Sequence, residues 1–146
     1  MDIKRVAIGT IVGGITLYVL GYLIFELAFG PFYAANGGSA IGVFRSPVFQ
    51  WAIAVGNFSF ALLYTLALET RAGAPSIANG FITGATIGFL ALFGIDAIHY
   101  GFTNLFRYIV VIVDPVLSAI HSGIAGAVIA AVLMRMPKAA GLQMTR

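Results

Sequence analysis

Four stretches of this chain, at about 6–29, 47–68, 77–102 and 109–134, run for about 20 residues or more with almost no charge. At 1.5 Å per residue, a helix of that length crosses about 30 Å of hydrocarbon. Strands of a membrane barrel would instead alternate in polarity over about 10 residues, and no such alternation is present. Composition points the same way: 60% of residues are hydrophobic, only 9% are charged, and mean hydropathy is +1.01. A soluble domain carries about 25% charged residues, enough to face water all round. The reading is an all-α integral membrane protein, a four-transmembrane-helix bundle forming one domain over 1–146.

Cysteine is absent, which excludes disulfides, thiolate-bound zinc, iron–sulfur clusters and thiol catalysis. The net charge of +3 does not indicate nucleic-acid binding, because the basic residues are scattered over loops and termini. The opening Met-Asp-Ile-Lys-Arg followed by an apolar run resembles a signal peptide. The run is, however, about twice the length of a signal core, so it reads as a retained first span.

Lys4, Arg5, Arg71, Arg135, Lys138 and Arg146 fall on the side of the N-terminus, and Arg45 and Arg107 on the other. The positive-inside rule then puts both termini in the cytoplasm, with the chain multi-pass in an inner (plasma) membrane. The fourth span has two alternative starts. Either it begins at Leu105 and kinks at Pro115, or it begins at Pro115 with Asp114 as its N-cap. In the second case 105–113 lies along the outer interface.

A weak internal repeat links the halves. Ser46-Pro47-Val48 matches Asp114-Pro115-Val116 at a shift of 68, and Gly14, Thr16, Leu20 and Phe32 match Gly84, Thr86, Leu90 and Phe102 at a shift of 70. It suggests two repeated helical hairpins with Ser46 and Asp114 as equivalent caps; chance likeness between Gly-rich helices is the alternative. Gly80, Gly84 and Gly88, like Gly9 and Gly13, recur every four residues and suggest close helix contacts.

In lipid the informative residues are polar, since a charge at the bilayer centre costs at least about 2.5 kcal/mol. Glu26, Asp96, His99, Asp114 and His121 all fall in the outer half of the spans. Asp96 and His99 share one helix face, and Asp114, Ser118 and His121 share another. If the faces converge, three carboxylates and two imidazoles line one outward-facing cavity, with Arg107 near its rim and Trp51, Tyr64 and Tyr100 as walls. Such a cluster suits a divalent metal on Asp96, His99 and His121, a proton relay, or a small ligand.

Plainer readings stand beside these. Asp114 before proline is first a helix cap. Glu26 would pair with Arg45 or Arg107, and Asp96 with His99. His121, Ser118 and Ser122 would bridge helices, while Gln50 and Asn57 supply interhelical hydrogen bonds. The tyrosines, Tyr33 among them, serve as an interface belt. No catalytic nucleophile constellation is present.

In the second half Asp96, Thr103-Asn104, Val113-Asp114 and Gly123 form a spaced pattern. It resembles small four-span bacterial membrane proteins of the DUF2177 and DUF1761 kind. The resemblance covers about a third of the chain and implies a four-span fold without assigning an activity. Three functions remain open: a membrane protein binding a cation, proton or small ligand in the outer cavity, with transport by a homo-oligomer as one form of it; an accessory subunit among other membrane subunits; and, last, an embedded enzyme on a lipid-like substrate.

Overall fold

The computed structural model describes residues 2–71 and 75–136, so Lys138 and Arg146 of the charge argument lie outside the described residues. Helix α1 spans Ile3–Gly21, its first turn capped by the Asp2 carboxylate, which accepts from the backbone N–H of Lys4 and Arg5. The helix continues as a wider π-helical stretch over Tyr22–Ala28, breaks at Phe29, and restarts as the short α2, Gly30–Ala35. Then follow α3, Gln50–Thr70, α4, Ile77–Phe102, and α5, Tyr108–Met134. Four helices, with the first counted as Ile3–Ala28, are long and apolar enough to cross a membrane. Their bounds lie within three residues of the sequence expectation.

Two expectations about helix starts are corrected. Helix α5 begins at Tyr108 and continues past Pro115, so Asp114 is an interior residue and not an N-cap. Proline there forfeits only the bond to the Val111 carbonyl, a loss that spanning helices accommodate. Ser46 lies before α3, whose first residue is Gln50, and Phe49 at the cap position makes no side-chain bond. The two proposed equivalent caps therefore differ, and the repeat loses that support.

The helices pack as two antiparallel hairpins, α1 with α3 and α4 with α5, joined through α1 and α5. Helix α5 is the most buried of the four. Its ridge of Ser118, Ser122, Gly126 and Ala130 lies against Gly80, Gly84 and Gly88 of α4. A methyl group on Gly84 would run into the Ser122 carbonyl, and one on Gly80 into the Gly126 carbonyl. Only glycine permits that backbone approach, and in lipid such close packing replaces the hydrophobic drive. Gly9 and Gly13 instead make room for side chains, those of Thr65, Ala61 and Ile129. Leu17, Tyr64, Leu68, Ile129 and Leu133 complete the core between α1, α3 and α5.

At the end of the bundle where the chain begins, Arg5 is buried (1% exposed) against Glu69 (4%). Its Nε and Nη2 both donate to Glu69 Oε1, at 2.9 and 2.8 Å, and Nη1 donates to the carbonyls of Leu133 and Met136. One side chain thus ties α1 to α3 and satisfies one carbonyl in the last turn of α5 and one just beyond it. At the far end, the segment after α2 pairs with the α4–α5 connection. Gly38 N–H donates to the Leu105 carbonyl, Ala40 N–H to Asn104, and Arg107 N–H to Asn36.

Two measurements test this packing. Gly84→Leu should destabilise the bundle by about 3 kcal/mol, the upper end for overpacking, in SDS-titrated mixed micelles. Gly94→Ala on the same helix, where nothing lies within 4 Å of an added methyl, should stay within about 0.5 kcal/mol. Glu69→Ala leaves Arg5 unpaired and should cost about 3–5 kcal/mol, whereas the double replacement Arg5→Met/Glu69→Leu should recover part of that loss.

Candidate functional site

Two turns beyond Gly88 on α4 stands Asp96, buried at 5% exposure. Its carboxyl lies within hydrogen-bonding reach of the Asp114 carboxyl on α5. Tyr33 of α2 completes the group, its hydroxyl donating to Asp114 Oδ1 at 2.6 Å. Asp96 Oδ2 is buried and has no hydrogen-bond partner among the described residues. The one ion pair among the described residues is Arg5–Glu69, so neither aspartate is met by a lysine or arginine there. Burial first, then the Asp114 hydrogen bond and the charges of Asp114 and Asp96, push the Tyr33 phenol well above its ordinary value. It therefore remains a donor.

Deeper along α5, His121 Nε2–H donates to the Leu17 carbonyl of α1 at 2.8 Å. That assignment follows because a carbonyl only accepts. The Phe25 ring stands edge-on to the imidazole, centroids 5.5 Å apart. One residue on, the Tyr64 hydroxyl donates to Ser122 Oγ at 2.8 Å, linking α3 to α5.

Helix α3 leans on α1 and touches α4 and α5 only sparsely. The gap is a cavity of about 340 Å³. Asn57, Tyr64, Asp114, Ser118, His121 and Ser122 form its polar wall, and Leu17, Phe25, Phe60 and Leu92 part of its apolar one. A second cavity, about 550 Å³, adjoins it between α1 and α3, sharing Phe25, Ile53, Asn57 and His121. Tyr18, Tyr22, Glu26 and Gln50 line this outer chamber. Both volumes fall within the range of small-molecule sites.

The five candidates from the sequence are thus divided. Asp96 and Asp114 meet; Asp114 and His121 face one cavity; Glu26 and His121 face the other. His99 joins neither group: it packs against the Phe102 ring, 5.6 Å between centroids, and makes no bond to Asp96. Among the described residues no three His, Asp or Glu side chains are placed to hold a metal, so Asp96, His99 and His121 are not assembled as a metal set. Three residues along a helix still leave about 60° between side chains, which is enough to send Asp96 inward and His99 elsewhere.

The plainer expectations fare unevenly. Among the described residues Glu26 pairs with neither Arg45 nor Arg107; the Arg45 guanidinium lies over the Phe49 ring, 4.8 Å from its centroid. Gln50 does bond across helices, accepting from the Tyr18 hydroxyl at 2.8 Å. Asn57 instead donates to the Ile53 carbonyl of its own helix, so it is a cavity wall and not a bridge. Trp51 and Tyr100 are exposed and line neither cavity. Tyr33 is the residue that sequence reasoning missed. The Gly30-Pro31 pair, a signal for a helix restart, was the available hint that the chain turns back there.

Compared with protein-family models, curated proteins and solved structures, the chain matches none of them. Its site is therefore read from its own geometry.

The phenol–carboxylate bond gives a pH-dependent expectation. Tyr33→Phe should cost about 1.5–3 kcal/mol at neutral pH, the value of a hydrogen bond to a charged group. Because the phenol titrates higher in the folded chain, this stabilisation is fully present below about pH 10, the unfolded value. It declines as the pH rises further and the unfolded chain alone ionises. Unfolding of both proteins at pH 7 and above pH 10 measures this, and an equal gap at both would refute it.

Proposed function

We propose that this multi-pass membrane protein binds a small ligand in the cavity between α1, α3, α4 and α5, with the cavity open toward the outer face. The supporting observation is the cavity itself: a polar wall of Asn57, Tyr64, Asp114, Ser118, His121 and Ser122 inside helices whose outer surfaces are apolar. Polar groups at this depth are costly without partners. Several of these already have one, in Tyr64–Ser122, His121–Leu17 and Tyr33–Asp114. The wall is thereby held in fixed orientation, as a binding site requires. The orientation that makes this end the outer one comes from the Lys and Arg distribution.

The lack of cysteine makes the reading directly testable. Asn57→Cys, on the wall shared by both cavities, should react with a membrane-impermeant charged methanethiosulfonate applied from outside. Val55→Cys, on the same helix but 59% exposed on its apolar side, should not react when that side faces lipid. An unreactive thiol in a folded Asn57→Cys protein would count against a wet cavity open to the outside.

A further inference from the structure

The contents of the two chambers bear on the class of ligand, given the cavity reading proposed above, on which this step rests. Glu26 and Asp114 are their only formally charged lining residues among those described; no lysine or arginine lines either chamber. Neither carboxylate has an ion-pair partner among the described residues. Behind Asp114 stands the buried Asp96, with Oδ2 lacking any partner among them. Acidic side chains thus gather at this end of the bundle, and among the described residues no lysine or arginine pairs with them. A low-dielectric surround makes such charge unfavourable unless a cation or proton accompanies it.

The chemistry of the walls decides which kind of cation fits. A small hydrated metal ion asks for several oxygen or nitrogen donors converging on one point, and the described residues bring no three His, Asp or Glu side chains together. The chambers offer instead the rings of Tyr18, Tyr22 and Phe25 beside the carboxylates. Aromatic faces attract a cation that carries its own apolar shell, and more strongly where water is thin. We infer that the adjoining chambers bind a small organic cation, an ammonium or phosphonium centre with apolar substituents. Glu26 draws it in at the exposed mouth, the three rings cover its substituents, and Asp114 holds its charge deeper.

Tetraphenylphosphonium and its anionic counterpart of the same shape, tetraphenylborate, are the probes. Each is equilibrated by dialysis with the purified full-length chain in detergent, against a protein-free micelle blank. The cation should bind saturably, about one per chain, and the anion should show only the partition of the blank. Glu26→Gln and Asp114→Asn should each weaken cation binding about tenfold, as expected for one lost charge contact. Glu26 is exposed and has no ion-pair partner among the described residues. Glu26→Gln therefore leaves the fold intact and keeps the test valid even if Asp114→Asn disturbs the Tyr33 bond. Equal binding of both probes, cation binding indifferent to Glu26→Gln, or no saturable binding would overturn the inference. If the Asn57→Cys thiol remains reactive in that case, only the ligand class fails; if that thiol is also silent, the cavity reading fails with it.

Discussion

The close approach of α4 and α5 governs much of what lies beyond it. Gly80, Gly84 and Gly88 remove every side-chain atom from one helix surface, and Ser118, Ser122 and Gly126 present small groups on the other. Backbones that touch fix the register of two helices more tightly than interdigitating side chains do, because no rotamer change can absorb a slip. Beyond Gly88 and Ser118 the same hairpin places the Asp96 side chain of α4 within reach of Asp114 on α5. The same register presents Ser122 to Tyr64 and His121 to the Leu17 carbonyl, the contacts through which α5 holds the other hairpin.

Charge is divided unequally between the two ends of this bundle. Near the N-terminus the buried Arg5 and Glu69 neutralise each other, and the remaining guanidinium protons satisfy carbonyls at the end of α5. At the far end three carboxylates, Glu26, Asp96 and Asp114, have no lysine or arginine partner among the described residues. Of the tyrosine hydroxyls, Tyr33 alone donates to this group, and only to Asp114. A buried pair broken on one side is strongly destabilising, so the first arrangement reads as scaffold. An uncompensated group inside a bundle of apolar helices is costly, and the ligand reading proposed above takes its support from that cost.

Helix positions and the glycine contacts were legible in the sequence because each depends on local spacing. Long uncharged runs leave one option in lipid, and glycines four apart must share a face whatever the partner. The carboxylates were half legible. Depth could be counted from helix ends, so Asp96 and Asp114 were placed at one level, but the facing of His99 depended on an angle that counting residues does not resolve. Asp114 looked like a cap because proline follows it, and a local rule gave way to the helix that continues through it. For Tyr33 the Gly30-Pro31 pair hints at a helix restart but not at what the side chain meets. Its position depends on Asn36, Gly38 and Ala40 pairing with Arg107, Leu105 and Asn104, contacts between loops far apart in sequence that no local pattern announces.

The π-helical stretch explains why the chambers exist where they do. In an α-helix each residue turns the face by about 100°, and widening a turn changes the face presented by every residue after it. Beyond Gly21 the wider turns bring Phe25 to both chambers and Glu26 to the outer one, while the Leu17 carbonyl, one turn earlier, receives the His121 ring. A wider turn is a less favourable backbone, kept where neighbouring contacts compensate and often at functional sites. Here it supplies Phe25 to the lining of the first cavity. The distortion, the Leu17 carbonyl that receives the His121 ring, and Glu26, without an ion-pair partner among the described residues, thus lie on one short segment of α1 and its continuation. A helix serving only to span the membrane would require none of them.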